Sequence, residues 1–215
     1  MILTNIIDRC QKWRNGLKKL VKLEKQTNNK YLNMFEATYD IGDKTTKYFI
    51  ASRRELGDLA CQGSTRVDAV RAVPYYFDGD KCYVVLIKEF RYAVGTYIYA
   101  TMAGLIDEGE TAEEAVIREL SEEVGAKAIK VTRTSGESFI SAGMSDERIV
   151  CFEIEVEMGG LQDLGESEDI EPIIVPLDEL EDFMSSHQFG LQSELQLQSF
   201  MYKMKYLELK KKMGE

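Results

Sequence analysis

Three glutamates, Glu119, Glu122 and Glu123, are the residues of this chain whose types and spacing most directly imply chemistry. On a helix Glu119 and Glu123 stand four residues apart and Glu122 three from Glu119, so the carboxylates crowd one flank. Like charges at that spacing cost roughly 0.2 to 0.5 kcal/mol per pair, and Arg118 is the nearby cation that could offset them. A solvated acidic face would leave the cost standing. A hard divalent cation would remove it, and Mg²⁺ combines one or two protein carboxylates with water and substrate phosphate.

Local signals place the cluster. Thr111 followed by Glu114 is a capping box that starts a helix at Ala112, and Gly125 stops it after Val124. Ala112, Val116, Leu120 and Val124 form an apolar seam that anchors the helix to a sheet. Before it, Val67 to Phe77 and Cys82 to Phe90 read as paired strands around Asp78-Gly79-Asp80, with a short strand at Tyr97 to Met102. After it come strands near Ala128 to Ile140, Arg148 to Glu157 and Ile170 to Val175, then two helices, the last carrying Leu197, Met201, Met204 and Leu207 on one side. Strands on both sides of a single central helix suggest a mixed sheet between helices, without the βαβ rhythm of a doubly wound fold.

The N-terminal part has a different character. Seven basic residues against Asp8 and Glu24 give the first 25 residues an excess of five positive charges. Ile6, Cys10, Trp13, Leu17 and Leu20 recur at steps of four and three, which predicts an amphipathic helix over residues 1–30 packed on its own domain or across a dimer. From Tyr31 the period becomes two, and Asp40-Ile41-Gly42-Asp43 predicts a β-hairpin within residues 31–66. Residues 67–215 form the remaining domain.

Composition excludes several classes. The 215 residues are 44% hydrophobic and 30% charged with only 3 prolines, which suits a globular domain with a real core rather than a disordered chain. A net charge of −10 argues against a nucleic-acid partner. Cys10, Cys61, Cys82 and Cys151 lie far apart with no C-x-x-C, and the longest apolar run, Cys82 to Ile87, is too short to span a bilayer, so a reduced, cytoplasmic protein is expected. The single histidine, His187, has no nucleophile or acidic partner arranged around it. Acid–base chemistry therefore falls to carboxylates.

Residues 104–126, GLIDEGETAEEAVIRELSEEVGA, resemble the signature of the Nudix hydrolases. Gly104, Glu110, Arg118, Glu119, Leu120, Glu122, Glu123 and Gly125 match it at every fixed position. The resemblance implies an α/β (α+β) fold of the Nudix type, an α/β/α sandwich with a mixed central sheet, here preceded by the N-terminal helix and hairpin. It implies that Glu119, Glu122 and Glu123 with the Ala103 carbonyl hold Mg²⁺ or Mn²⁺. It also implies that Glu110 pairs with Arg118 to hold the loop on the helix, and that Gly104 lies beside the substrate.

Four further segments narrow the likeness, from about Tyr31 to Leu180, to the ADP-ribose pyrophosphatase branch: Lys88 to Tyr92, Ala103 to Glu110, Ser141 to Glu147, and Glu166 to Ile170. That branch implies a metal-dependent split of a nucleoside diphosphate linked to another moiety, above all ADP-ribose to AMP and ribose 5-phosphate. Arg91 would contact the diphosphate, and Arg53, Arg54 and Glu55 the adenosine of a partner subunit in a homodimer. The acidic loop would supply the base, Glu166, with Glu168 nearer the metal. Two alternatives stand beside it, a pyrophosphatase for another dinucleotide or nucleotide sugar, and a sensor that binds ADP-ribose without turnover. No membrane association is expected.

Overall fold

The structure of the protein is a computed structural model that describes residues 18–166 and 168–214. The chain divides into two compact units, one holding residues up to 66 together with 139–148, the other holding 67–138 and the residues from 149 onward.

The first unit contains an antiparallel sheet of β1 (Lys19–Lys25), β2 (Asn33–Ile41) and β3 (Lys44–Ser52) in that order. β2 and β3 are the expected hairpin, with Ile41 opposite Lys44 across a two-residue turn. Phe35 and Ala37 alternate inward to meet Ile50 and Leu59, and these form the unit's buried core with Leu20 and Leu23 packed against it. The helix expected over residues 1–30 is corrected here. Its first 17 residues lie outside the described ones, and Lys19–Lys25 is a strand. Leu20 and Leu23, three apart, would face opposite sides of a regular strand, but a bulge between Leu20 and Lys22 resets the alternation so that both reach the core. A bulged strand thus imitates the helical step of three.

The second unit is built on the mixed sheet β11-β5-β4-β10-β8, formed by β4 (Ala69–Asp78), β5 (Lys81–Arg91), β8 (Ala126–Arg133), β10 (Arg148–Met158) and β11 (Ile170–Pro176). β4 and β10 run parallel and the other pairs on this path antiparallel. β6 (Thr96–Ala100) joins β5, β7 (Met102–Leu105) joins β4, and β9 is the two-residue Ser138–Phe139. Alternation on β4 and β5 feeds two cores. Val70, Ala72, Val85 and Ile87 pack against Ala115, Val116 and Leu120 of the first helix, α1 (Ala112–Glu119), and its continuation. Val73, Val84 and Leu86 pack instead against Leu180 of α2 (Leu180–Ser186) and Leu197, Phe200 and Met201 of α3 (Leu191–Met213). The result is the expected sheet with helices on both faces. Burying these two apolar faces is the main drive for the arrangement.

Within the second unit two departures from the expected elements help to position the site. The strand read as Tyr97 to Met102 is cut at Thr101, where the chain leaves β5 and joins β4. Thr101 is fully buried. The Arg71 guanidinium donates to its carbonyl at 3.3 Å and its hydroxyl at 2.9 Å, and also to Ser193 Oγ at 2.8 Å on α3. The helix begins on its capping box, with the Glu114 amide donating to Thr111 Oγ1 and the Thr111 amide to the Glu114 carboxylate. It does not stay α to the end: Leu120–Val124 widen into a π-turn that closes on Gly125 at φ +66. Such turns carry a cost that is usually retained at functional positions.

Candidate functional site

A cavity of about 510 Å³ in the second unit gathers side chains from four elements, a volume within the usual range for a small-molecule site. β5 contributes Glu89 and Arg91, β7 contributes Ala103 and Gly104, the central helix contributes Glu119 and Glu123, and the loop before β11 contributes Glu168.

The closest approach is between β7 and the helix. A methyl group placed on Gly104 would lie 1.8 Å from the Glu119 carboxyl carbon, so only glycine leaves that carboxylate its place. One residue earlier, the Ala103 amide donates to Glu123 Oε2 at 3.3 Å. The strand edge thereby aligns both helix carboxylates into the cavity. Gly104→Ala is expected to leave the melting temperature nearly unchanged, because the clash is with the flexible end of one side chain. It should lower turnover at least about tenfold by displacing Glu119, in line with the sensitivity of catalytic geometry to shifts near 1 Å. Thermal melts and initial rates on the same preparation check this, and an active Gly104→Ala protein would sink it.

Charge in the cavity is poorly compensated. Burial pushes the Glu123 carboxyl up to about 8, and repulsion from Glu119, Glu89 and Glu168 adds to the shift. Glu119 is also raised, first by burial, with Glu122 and Glu168 contributing and Arg118 opposing. Arg118 is the organising cation outside the cavity. It grips Glu110 through two bonds of 3.0 Å, donates to the Leu105 carbonyl at 2.9 Å, and reaches Glu119 and Glu122 at 2.9 Å each. That pairing holds Glu110 below the usual carboxylate range and raises the guanidinium's own affinity for its proton. Loop and helix are locked together by one side chain.

The donor set suits a hard cation: five carboxylates, Glu89, Glu119, Glu123, Glu168 and Asp169, in one partly desolvated cavity, with no sulfur or imidazole among its lining residues. Among the described residues no three acidic, histidine or cysteine side chains converge on one point as they stand. Arg118 accounts for part of this, since it draws Glu119 and Glu122 toward itself. Glu119 and Glu123, with the Ala103 segment beside them, are the residues that would hold an ion, and Glu168 lines the same cavity.

The remaining residues expected at the site are placed as follows. Glu122 is turned to Arg118 and does not line the cavity. Glu166 is exposed and also absent from the lining. Arg53, Arg54 and Glu55 belong to the first unit. Arg54 is buried there, donating to the Asp58 and Arg66 carbonyls with Asp146 at 3.9 Å, which is the environment of a structural cation. Glu55 pairs with Lys25, and Arg53 is exposed. The sequence reading passed over Glu89, although period two on β5 puts it on the same face as Arg91. Asp169, part of the acidic loop expected at the site, accepts from the Tyr97 hydroxyl and lines the cavity.

The model of the NUDIX domain matches residues 65–192, and the chain belongs to that family. A nudix-family relative from Caenorhabditis elegans is 37% identical over 101 residues, 44% of this chain and 45% of the relative. The ADP-sugar pyrophosphatase of Mus musculus is 40% identical over 63 residues, 29% of this chain and 28% of that protein. The ADP-ribose pyrophosphatase of Bacillus subtilis (strain 168) is 30% identical over 134 residues, 61% of this chain and 68% of that enzyme. The matches to the first two thus span less than half of those relatives. A crystal structure of an ADP compounds hydrolase superposes with a TM-score of 0.67, covering 92% of this chain and 96% of that one at 18% identity, a likeness of fold alone.

Proposed function

We propose that the protein is a divalent-metal-dependent hydrolase of nucleoside diphosphates linked to a second moiety, with ADP-ribose, split to AMP and ribose 5-phosphate, as the leading substrate. The observation that carries this reading is the placing of Glu119 against Gly104 and of Glu123 against the Ala103 amide in a cavity whose rim holds Arg91. Relatives named for ADP-sugar and ADP-ribose pyrophosphatase activity support the substrate class.

A bound Mg²⁺ or Mn²⁺ would supply charge neutralisation of the diphosphate and a lowered pKa for the attacking water. The chain's own residues do the rest. Arg91 presents a planar fork to the phosphate oxygens. Glu119 and Glu123 fix the reacting end of the cavity, and Arg118 keeps loop and helix from separating. A carboxylate of the loop before β11 accepts the proton of water as its oxygen bonds to phosphorus. The bond from phosphorus to the bridging oxygen breaks, and that oxygen leaves on the second phosphate. A panel of ADP-ribose, nucleotide sugars, flavin and coenzyme A dinucleotides, read by phosphate release after phosphatase treatment, tests the reading. Release confined to ADP-ribose and ADP-sugars is expected. Tight ADP-ribose binding without AMP release in saturating Mg²⁺ would replace the hydrolase with a sensor.

Self-association belongs to the same proposal. Met34 and Phe49 point out of the β2–β3 hairpin on the side opposite Phe35 and Ile50, and Phe49 remains 54% exposed. Exposed apolar side chains on an open sheet favour pairing with a second copy, and the Glu36–Lys47 ion pair on the same face would lie at its rim. Light scattering at micromolar concentration is expected to give the mass of a homodimer, and a monomer that still hydrolyses ADP-ribose would end the shared-site idea. Among the described residues no helix is long and apolar enough to cross a membrane.

A further inference from the structure

Glu89 has no part in the signature, yet with Glu123 it is one of the two buried carboxylates of the cavity. It sits on β5 opposite Ile170 of β11 and Ile98 of β6, only 8% exposed. Two residues further along the same strand, and therefore on the same face, Arg91 places Nη2 2.6 Å from Glu89 Oε1. The ion pair is the contact that Glu89 Oε1 makes in its buried position. Arg91 itself remains 46% exposed, at the mouth of the cavity.

A buried carboxylate in a cavity already holding Glu119, Glu123 and Glu168 works against its neighbours, and Glu89 contributes to the upward shift of Glu123. A buried acid next to other acids is costly unless a partner charge offsets it. What this geometry returns is the pose of Arg91. An exposed arginine has several rotamers of nearly equal energy, and ordering it on binding is costly. A fixed anion at the root of the side chain selects one of them. Glu89 meets the guanidinium at Nη2, so the other N–H groups of the fork can turn to phosphate oxygens.

We propose that Glu89 is a positioning residue for the diphosphate: it holds the Arg91 guanidinium at the cavity mouth in the pose that receives the substrate. The proposal rests on the functional reading above for the role of Arg91, and adds to it a residue that acts through Arg91 rather than on the reacting atoms.

The test is a double-mutant cycle of Glu89→Gln, Arg91→Gln and the pair, using the full chain in the presence of Mg²⁺. Three quantities are read: inorganic pyrophosphate binding by calorimetry, kcat and KM on ADP-ribose, and the Mg²⁺ concentration giving half-maximal rate. Glu89→Gln is expected to weaken pyrophosphate binding and raise KM about tenfold, the scale of a charge-assisted contact, with kcat within about twofold. The double variant should bind no worse than Arg91→Gln alone, because both changes remove one interaction. Additive losses would overturn the proposal. So would unchanged pyrophosphate binding with a raised Mg²⁺ requirement, which would make Glu89 a partner of the ion. Should Glu89→Gln melt below the assay temperature, Glu89→Asp draws the charge one methylene back from Arg91 and carries the same expectation. If the wild type turns over none of the substrate panel, the hydrolase reading falls, while the pyrophosphate cycle still decides the role of Glu89. Wild-type protein that binds no pyrophosphate would overturn it.

Discussion

Glu123→Gln is expected to abolish hydrolysis and, in the ion-free protein, to raise the melting temperature at pH 8. The two effects share one cause. The Glu123 carboxyl is pushed up to about 8 by burial and by the neighbouring acids, whereas an unfolded chain leaves it near its ordinary value of roughly 4.3. Between those values the folded state binds more protons than the unfolded state, so this group's contribution to stability falls as pH rises through about 8. Glutamine keeps the shape and accepts the same bond from the Ala103 amide without ever carrying the charge. Melts in EDTA should therefore show a pH-dependent loss between pH 5 and pH 8 in the wild type that is smaller in the variant. Added Mg²⁺ should protect the wild type at pH 8 and protect the variant much less. Turnover should drop more than about 100-fold, since even outer partners of metal ligands cost 10 to 100-fold when removed. A Glu123→Gln protein with near wild-type turnover at limiting Mg²⁺ would reduce the cluster to an acidic surface.

What the sequence made legible was local. Thr111 and Glu114 specify the helix start through bonds between residues three apart, and the alternation of Val84, Val85, Leu86 and Ile87 specifies a strand buried on both faces. The helix carboxylates could be found because their spacing on one element sets their direction. What escaped depended on partners distant in sequence. The break at Thr101 is stabilised by Arg71 and by Ser193 on the far helix, so an apolar run from Tyr97 to Met102 carries no sign of it. The strand at Lys19–Lys25 was read as helix because a bulge brings Leu20 and Leu23 to one side. Glu89 becomes a cavity residue only once β5 is flanked by β6 and β11 and faces the central helix. Spacing reveals chemistry within an element, while pairing between elements decides which further residues join it.

Glu168→Gln is expected to lower kcat by roughly 10² to 10⁴, the range for loss of a general base, while Glu166→Gln changes it less than about twofold. The likeness to the ADP-ribose pyrophosphatase branch points to Glu166 as the base and to Glu168 nearer the metal. The loop is tied down at its start. The Asp163 amide donates to the Glu122 carbonyl at 3.0 Å, and Gln162 Nε2 donates to the Glu123 carbonyl at 2.6 Å and the Ile170 carbonyl at 3.2 Å. A chain anchored to the helix end at Gln162 and to the sheet at Ile170 turns back at Gly165. There the Glu168 amide donates to the Gly165 carbonyl, and the Gly165 amide donates to the Glu168 carboxylate at 2.8 Å. That turn delivers Glu168 to the cavity, where its charge acts on both Glu119 and Glu123, and leaves Glu166 facing solvent. A general base must lie within reach of the water proton it removes, so proximity favours Glu168. Single-turnover rates at saturating Mg²⁺ separate loss of the base from loss of ion affinity. A silent Glu168→Gln together with an inactive Glu166→Gln would return the base to the outer position and require the loop to refold over the substrate.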